Sequence, residues 1–192
     1  FAGLPWRIIV IGLTLFVFFL LTLFIFGDKF CAENVAWPGL REYQKLRICT
    51  LLDPMRDPLG AGFHTLQSIT AVGSGGIFGK GWLQGTQTQL AFIPERSTDF
   101  VFSGYAEEFG FFGSLLLILL YAGITLRGLW ISIGAPTDFA RLLGGTLSMM
   151  TFTYACVNVG MVTGVLPVVG VPLPWVSYGG TVLITLGIGV GL

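Results

Sequence analysis

Phe109 to Leu126 reads FGFFGSLLLILLYAGITL, 18 residues without a charge. An α-helix rises about 1.5 Å per residue and a bilayer core is about 30 Å thick, so roughly 20 apolar residues cross it. The stretch predicts a membrane-spanning helix whose first turns lie earlier, near Asp99. Ile8 to Phe26 carries no charge over 19 residues, Leu142 to Val165 none over 24, and Pro174 to Leu192 is a fourth apolar run. The predicted spans are about 6–26, 100–127, 141–165 and 174–192. The fold class expected is all-α: a polytopic transmembrane helix bundle of four spans, with a long extracytoplasmic loop, about 27–99, that carries short helices.

Composition supports the same solvent. Charged residues make up 10% of the chain and hydrophobic ones 54%, whereas soluble domains carry about 25% charged residues. Net charge is zero, which argues against nucleic acid as a partner. The chain opens on Phe1 rather than methionine and stops within an apolar run at Leu192, so a segment of a longer protein is expected.

Charge near short loops orients the spans. Arg7, Arg127 and Arg141 flank spans at ends that share one side if every span crosses, and positive ends prefer the cytoplasm. Gly27 to Thr98 holds seven basic residues, but long loops translocate largely regardless of charge. That loop is therefore expected outside, as is the turn from Leu166 to Leu173.

Within the loop, Leu40 to Leu52 places Leu40, Tyr43, Leu46 and Leu51 near one helical face, as in a short helix lying on a membrane surface. Asp53-Pro54 and Asp57-Pro58 are turn signals. Gly62 to Val72 predicts a second short helix, ended by Gly73, Gly75 and Gly76. Cys31 and Cys49 either pair in an oxidising compartment or stand unpaired. Gly160 with Gly164 and Gly187 with Gly191 have the spacing that lets helix backbones approach closely, and Asn158 reads as polar glue between helices.

The glycine-rich stretch Gly73 to Gly81 (GSGGIFGKG) fails as a phosphate-binding P-loop. That motif needs glycine where Ser74 stands and Ser or Thr where Gly81 stands. A tight external loop is the expectation, with Lys80 either solvated or meeting a phosphate. His64, the one histidine, reads as a surface residue.

Pro94 to Phe100, PERSTDF, carries the most chemistry. On one reading Ser97 or Thr98 caps the following helix and Asp99 sits in its first turn, favoured by the helix dipole. On the other, Asp99, Ser103, Ala106, Glu107 and Gly110 form one small or polar face. Glu107 then lies about 12 Å deeper than Asp99. Acidic groups at a membrane boundary are costly unless paired or facing a polar cavity. A carboxylate at the mouth of such a cavity can act as a general base.

Three stretches resemble one family: Leu51 to Ser68, Gly79 to Gly110 and Val165 to Gly180. The chain is similar throughout to the C-terminal half of the SEDS family of cell-wall proteins, so residues 1–192 are expected to form the later part of a single SEDS membrane domain. DPLGAG, the Gly85 to Gln87 GTQ and Arg96 after Pro94-Glu95 look like RodA, the elongation-type member, rather than FtsW, the division-type member. Where the family usually has histidine before Thr-Asp-Phe, this chain has Ser97.

The resemblance implies a peptidoglycan glycosyltransferase in the bacterial inner (plasma) membrane, polymerising lipid II and partnered by a class B penicillin-binding protein. It implies that Asp99 is the catalytic aspartate, with Lys80, Arg96, Glu95, Gln87 and Arg56 as substrate-binding positions. A divalent metal is compatible with such chemistry, but this sequence offers no ligand set that requires one. A lipid II flippase and a non-catalytic scaffold for a transpeptidase are the competing readings.

Overall fold

The computed structural model describes residues 5, 7–8, 10–12, 14–15, 17–18, 21–22, 31, 42–53, 55, 61–86 and 98–191. Among them every regular element is helical. The elements are α1 (Glu42–Leu52), α2 (Ala61–Ser74), α3 (Val101–Ile133), α4 (Asp138–Val162) and α5 (Gly180–Gly191). The described residues between 7 and 22 are helical too, and nearly all of them are exposed.

Helices α3 and α4 are long and apolar enough to cross a membrane, and only 22% and 17% of their most apolar stretches are buried within the protein. Leu115, Leu116, Ile118, Leu119 and Leu120 of α3 all face outward. Moving one such side chain from water to hydrocarbon is worth roughly 1.5–3 kcal/mol, so this surface belongs in lipid or against other apolar helices.

The helix ends differ from those expected. α3 runs to Ile133, beyond Arg127, and α4 begins at Asp138, before Arg141. Charge was a poor boundary marker because long basic side chains carry their heads away from the apolar zone while their backbone stays helical. Thr137 sets the true start of α4: its hydroxyl accepts from the Ala140 amide at 3.2 Å, a side-chain N-cap. α4 stops at Val162, short of Val165, where Gly164 turns at φ 76° and the Val165 and Leu166 amides both bond the Gly160 carbonyl. α5 begins at Gly180 rather than Pro174. Residues 174–179 form a turn in which the Ser177 hydroxyl accepts from the Leu173 amide at 2.8 Å and Tyr121 of α3 donates to the Pro174 carbonyl.

Close helix approach also falls elsewhere than the glycine pairs suggested. α3 and α4 meet where Gly128 faces Ser148 and where Gly144 and Gly145 face Ser132; a Cβ on Gly128 would come within 2.2 Å of the Ser148 hydroxyl oxygen. Gly160 and Gly164 make room instead for the side chains of Leu166 and Ile69, and Gly187 has nothing within 4 Å. On α1, Leu46 faces outward, while Cys49 and Thr50 are buried. The face drawn through Leu46 is thus left free of the protein's own packing at that residue, and the Cys49–Thr50 side packs inward.

The core lies where α2, the start of α3, the end of α4 and the turn after it converge. It contains Ala71, Phe100, Phe102, Ala106, Met161, Val162 and Leu173. Ser68 on α2 ties it together by donating to the Val162 carbonyl at 2.8 Å. α3 itself is broken within this region: Gly110 has φ 66° and ψ −160°, a conformation essentially reserved for glycine. Nine residues, Val101 to Phe109, precede the break and the long apolar limb follows it.

Gly110→Ala should destabilise the protein strongly. The backbone conformation alone costs an alanine about 1–3 kcal/mol, and the new Cβ would lie 2.3 Å from the Gly79 nitrogen. Gly123→Ala, in the same helix with nothing within 4 Å, should leave thermal unfolding in detergent unchanged or slightly raised. Equal unfolding temperatures for the two variants would refute the break.

Candidate functional site

The glycine-rich loop after α2 is the partner of the α3 break. A helix interrupted at Gly110 loses intrahelical bonds on both sides of it, and Gly75 to Gly81 supply replacements. The Lys80 amide donates to the Glu107 carbonyl and the Gly81 amide to the Glu108 carbonyl, both at 3.0 Å. In return the Phe111 amide donates to the Gly76 carbonyl at 2.9 Å and the Phe112 amide to the Ile77 carbonyl at 3.3 Å. The two backbones come so close that a Cβ on Gly75 or Gly79 would sit 2.1 or 2.0 Å from a carbonyl oxygen of α3. Gly75 and Gly79 are there for backbone contact with α3.

This docking delivers Lys80 to Glu107. The ammonium lies 2.8 Å from the carboxylate, which is fully buried. Ser74 and Thr86 donate hydroxyls to the same carboxylate oxygen at 3.3 and 3.2 Å, and Lys80 also donates to Thr86 at 2.9 Å. The buried carboxylate is thus matched by a cation, and removing the cation from such a pair typically costs about 3–5 kcal/mol. Ser103, Ala106, Glu107 and Gly110 are all buried, so the predicted polar face of α3 is its inner face.

Asp99 sits at the other end of that face. It is not in the first turn of α3: the helix begins at Val101, and its N-cap is Phe100, which makes no side-chain cap bond. Asp99 thus stands one residue before the N-cap rather than in the first turn. The tight turn is closed instead by the Ser103 amide and hydroxyl, both donating to the Phe100 carbonyl at 3.0 and 2.6 Å. Asp99 is half-buried. Its backbone carbonyl accepts from Asn158 of α4 at 2.8 Å. Its Oδ2 lies over Gly170, where a Cβ would stand 3.1 Å away.

His64 of α2 belongs to this neighbourhood, which its reading as a surface residue missed. It is half-buried, stacks on Phe100 with ring centroids 6.2 Å apart, and its Nδ1 is buried without a hydrogen-bond partner among the described residues. No periodicity signals a stacking partner 36 positions away in sequence. Asn158, read as interhelical glue, is bonded to two backbone carbonyls outside the helices.

Of the substrate-binding positions expected, Lys80 is held at Glu107, while Arg56, Gln87, Glu95 and Arg96 lie outside the described residues, as does Ser97. Cys31 and Cys49 are joined by a disulfide, closing the alternative that they stand unpaired. From α1, Arg47 donates to the Val168 carbonyl at 2.8 Å, linking the loop to the connection that carries Gly170. Among the described residues no group of three or more His, Cys, Asp or Glu is arranged to hold a metal ion.

Comparison with known proteins adds to this geometry. Residues 1–192 match the family described as FTSW_RODA_SPOVE, cell cycle protein. The chain is similar to peptidoglycan glycosyltransferase MrdB of Escherichia coli, with 50% identity over 191 residues, covering 100% of this chain and 48% of that protein. It is 44% identical over 154 residues to peptidoglycan glycosyltransferase RodA of Treponema pallidum, covering 80% of this chain and 35% of that protein. It is 41% identical over 150 residues to stage V sporulation protein E of Bacillus subtilis, covering 78% of this chain and 41% of that protein. A solved structure described as "Structural coordination of polymerization and crosslinking by a peptidoglycan synthase complex" resembles it with a TM-score of 0.67 and 35% sequence identity, covering 98% of this chain and 48% of that one. The chain thus spans about half the length of the first of these relatives.

Proposed function

The chain belongs to the FtsW/RodA/SpoVE family of cell cycle proteins, and from that premise we propose that it carries the catalytic carboxylate of a peptidoglycan glycosyltransferase of the RodA kind. The substrate is lipid II, a disaccharide-peptide on an undecaprenyl pyrophosphate. The product is a lengthened glycan strand, made during cell elongation. The observation that carries this reading is Asp99: a half-buried carboxylate at the head of an apolar helix, held from a second helix through its own backbone. Similarity to proteins named peptidoglycan glycosyltransferases supports the reaction class.

The chemistry follows from the leaving group. Glycosyl transfer from a pyrophosphate breaks the anomeric C–O bond as the acceptor hydroxyl forms a new one, by analogy with inverting hydrolysis, with a sugar hydroxyl in place of water. Asp99 accepts the proton of that hydroxyl. Pyrophosphate leaves as an anion and needs cations rather than an acid. Arg96 and Arg56 are the basic side chains proposed for it, with Glu95 and Gln87 as further substrate contacts. Lys80 contributes there through its outward side, since its ammonium is already paired with Glu107. The lipid tail lies in a groove between spans.

The placement proposed is a multi-pass protein of the bacterial inner (plasma) membrane with four spans in this chain and the 27–99 loop outside. The Cys31–Cys49 disulfide supports that side, because disulfides persist in oxidising compartments. Arg127 and Arg141 at the opposite ends of α3 and α4 support it independently. A class B penicillin-binding protein, which crosslinks the new glycan, is the partner proposed. The similarity to a structure described as coordinating polymerisation and crosslinking supports it.

Two experiments test this. Asp99→Asn in the intact protein should slow lipid II polymerisation in detergent by about 10²–10⁴-fold while binding of lipid II is kept; a near wild-type rate would show that Asp99 is not the base. A cysteine in place of Gln44 should react with a membrane-impermeant thiol reagent in intact cells or spheroplasts. Labelling only after lysis would reverse the topology.

A further inference from the structure

Asn158 is buried without exposure in the apolar α4, and an amide there is costly unless its groups are satisfied. Glue between two helices would bond one helix to another. Asn158 does something else. Both of its Nδ2 hydrogens go to backbone carbonyls that lie outside any helix, Asp99 at 2.8 Å and Val171 at 2.6 Å. Carbonyls only accept, so these two partners fix which way the amide faces. Its Oδ1 is left buried without a hydrogen-bond partner among the described residues. The side chain is therefore placed for its two donors.

Those two carbonyls belong to the two segments that meet at one carboxylate. The first belongs to Asp99 itself. The second follows Gly170, whose φ of 78° and bare Cα make the surface on which Asp99 Oδ2 rests, with only 3.1 Å to where a Cβ would stand. One amide thus sets both the backbone that carries the carboxylate and the wall that the carboxylate touches. We propose that Asn158 is the positioning residue for Asp99: it clamps the Thr98–Phe100 turn to the Gly170–Val171 segment and so fixes where the base points. The inference rests on Asp99 being the base.

The test is a cycle in the intact protein, with polymerisation of lipid II and its binding both measured. Asn158→Ala should lower the polymerisation rate by on the order of 10²-fold, the cost of misplacing a catalytic group by about 1 Å, with lipid II binding little changed. In an Asp99→Asn background the same substitution should lower the residual rate by less than about 2-fold, because groups that act as a unit are not additive. A merely structural role predicts the same factor in both backgrounds, and that result, or a wild-type rate for Asn158→Ala, overturns the inference while leaving the base assignment standing. A fully active Asp99→Asn overturns the base assignment and the inference together. Should Asn158→Ala not accumulate in the membrane, Asn158→Ser, which keeps one donor, goes through the same two backgrounds and is judged by the same ratio.

Discussion

Hydrocarbon offers no hydrogen bonds, so backbone that leaves a helix at or near membrane depth has to find its partners inside the protein. The irregular parts of this chain are organised by that requirement. At Gly110 the carbonyls and amides freed from α3 are taken up by the Gly75–Gly81 loop. The connection after α4 has no helix to satisfy it, so side chains do: Asn158 bonds the Val171 carbonyl, Arg47 the Val168 carbonyl, Tyr121 the Pro174 carbonyl, and the Ser177 hydroxyl takes the Leu173 amide. The first three reach across the sequence, and the last closes a turn in which Trp175 takes φ 65°.

The proposed function draws on the same irregularity. A straight, fully satisfied helix presents only side chains, whereas a turn at a helix head presents a carboxylate together with a backbone that another element can hold. Asp99 occupies such a turn, between the start of α3, the buried amide of α4 and the Gly170 segment. Glu107, on the same inner face, is neutralised by Lys80 and surrounded by hydroxyl donors. The two acids are treated differently by their surroundings. One is locked into an ion pair that holds the loop in place, and the other is half-buried beside Gly170.

Residue types were more legible in the sequence than partners were. Hydropathy located α3 and α4, because a long uncharged run has few other uses. Their ends were misplaced because Arg127 and Arg141 were taken as boundaries, when a basic residue can stay on a helix and reach past it. The glycine stretch lacks the P-loop pattern, yet nothing local announces that Gly75 and Gly79 face the α3 backbone; a bond between main chains leaves only the absence of a Cβ as its trace. Asn158 was recognisable as a buried polar group, but its targets are carbonyls, which every residue has. Asp99 carried an ambiguity between cap and catalyst, and the helix start at Val101 moves it out of the first turn. His64 and the Cys31–Cys49 bond depend on long-range packing that periodicity does not encode.

The central claim is that Asp99 takes the proton from the acceptor sugar. The most direct measurement is an experimental structure of the intact protein with lipid II and a short glycan acceptor bound. The account predicts the Asp99 carboxylate within about 2.6–3.2 Å of the attacking hydroxyl, or one water away, with the Asn158 bonds to Asp99 and Val171 retained. A hydroxyl lying instead against another acid, with Asp99 turned away from the sugar, would contradict it.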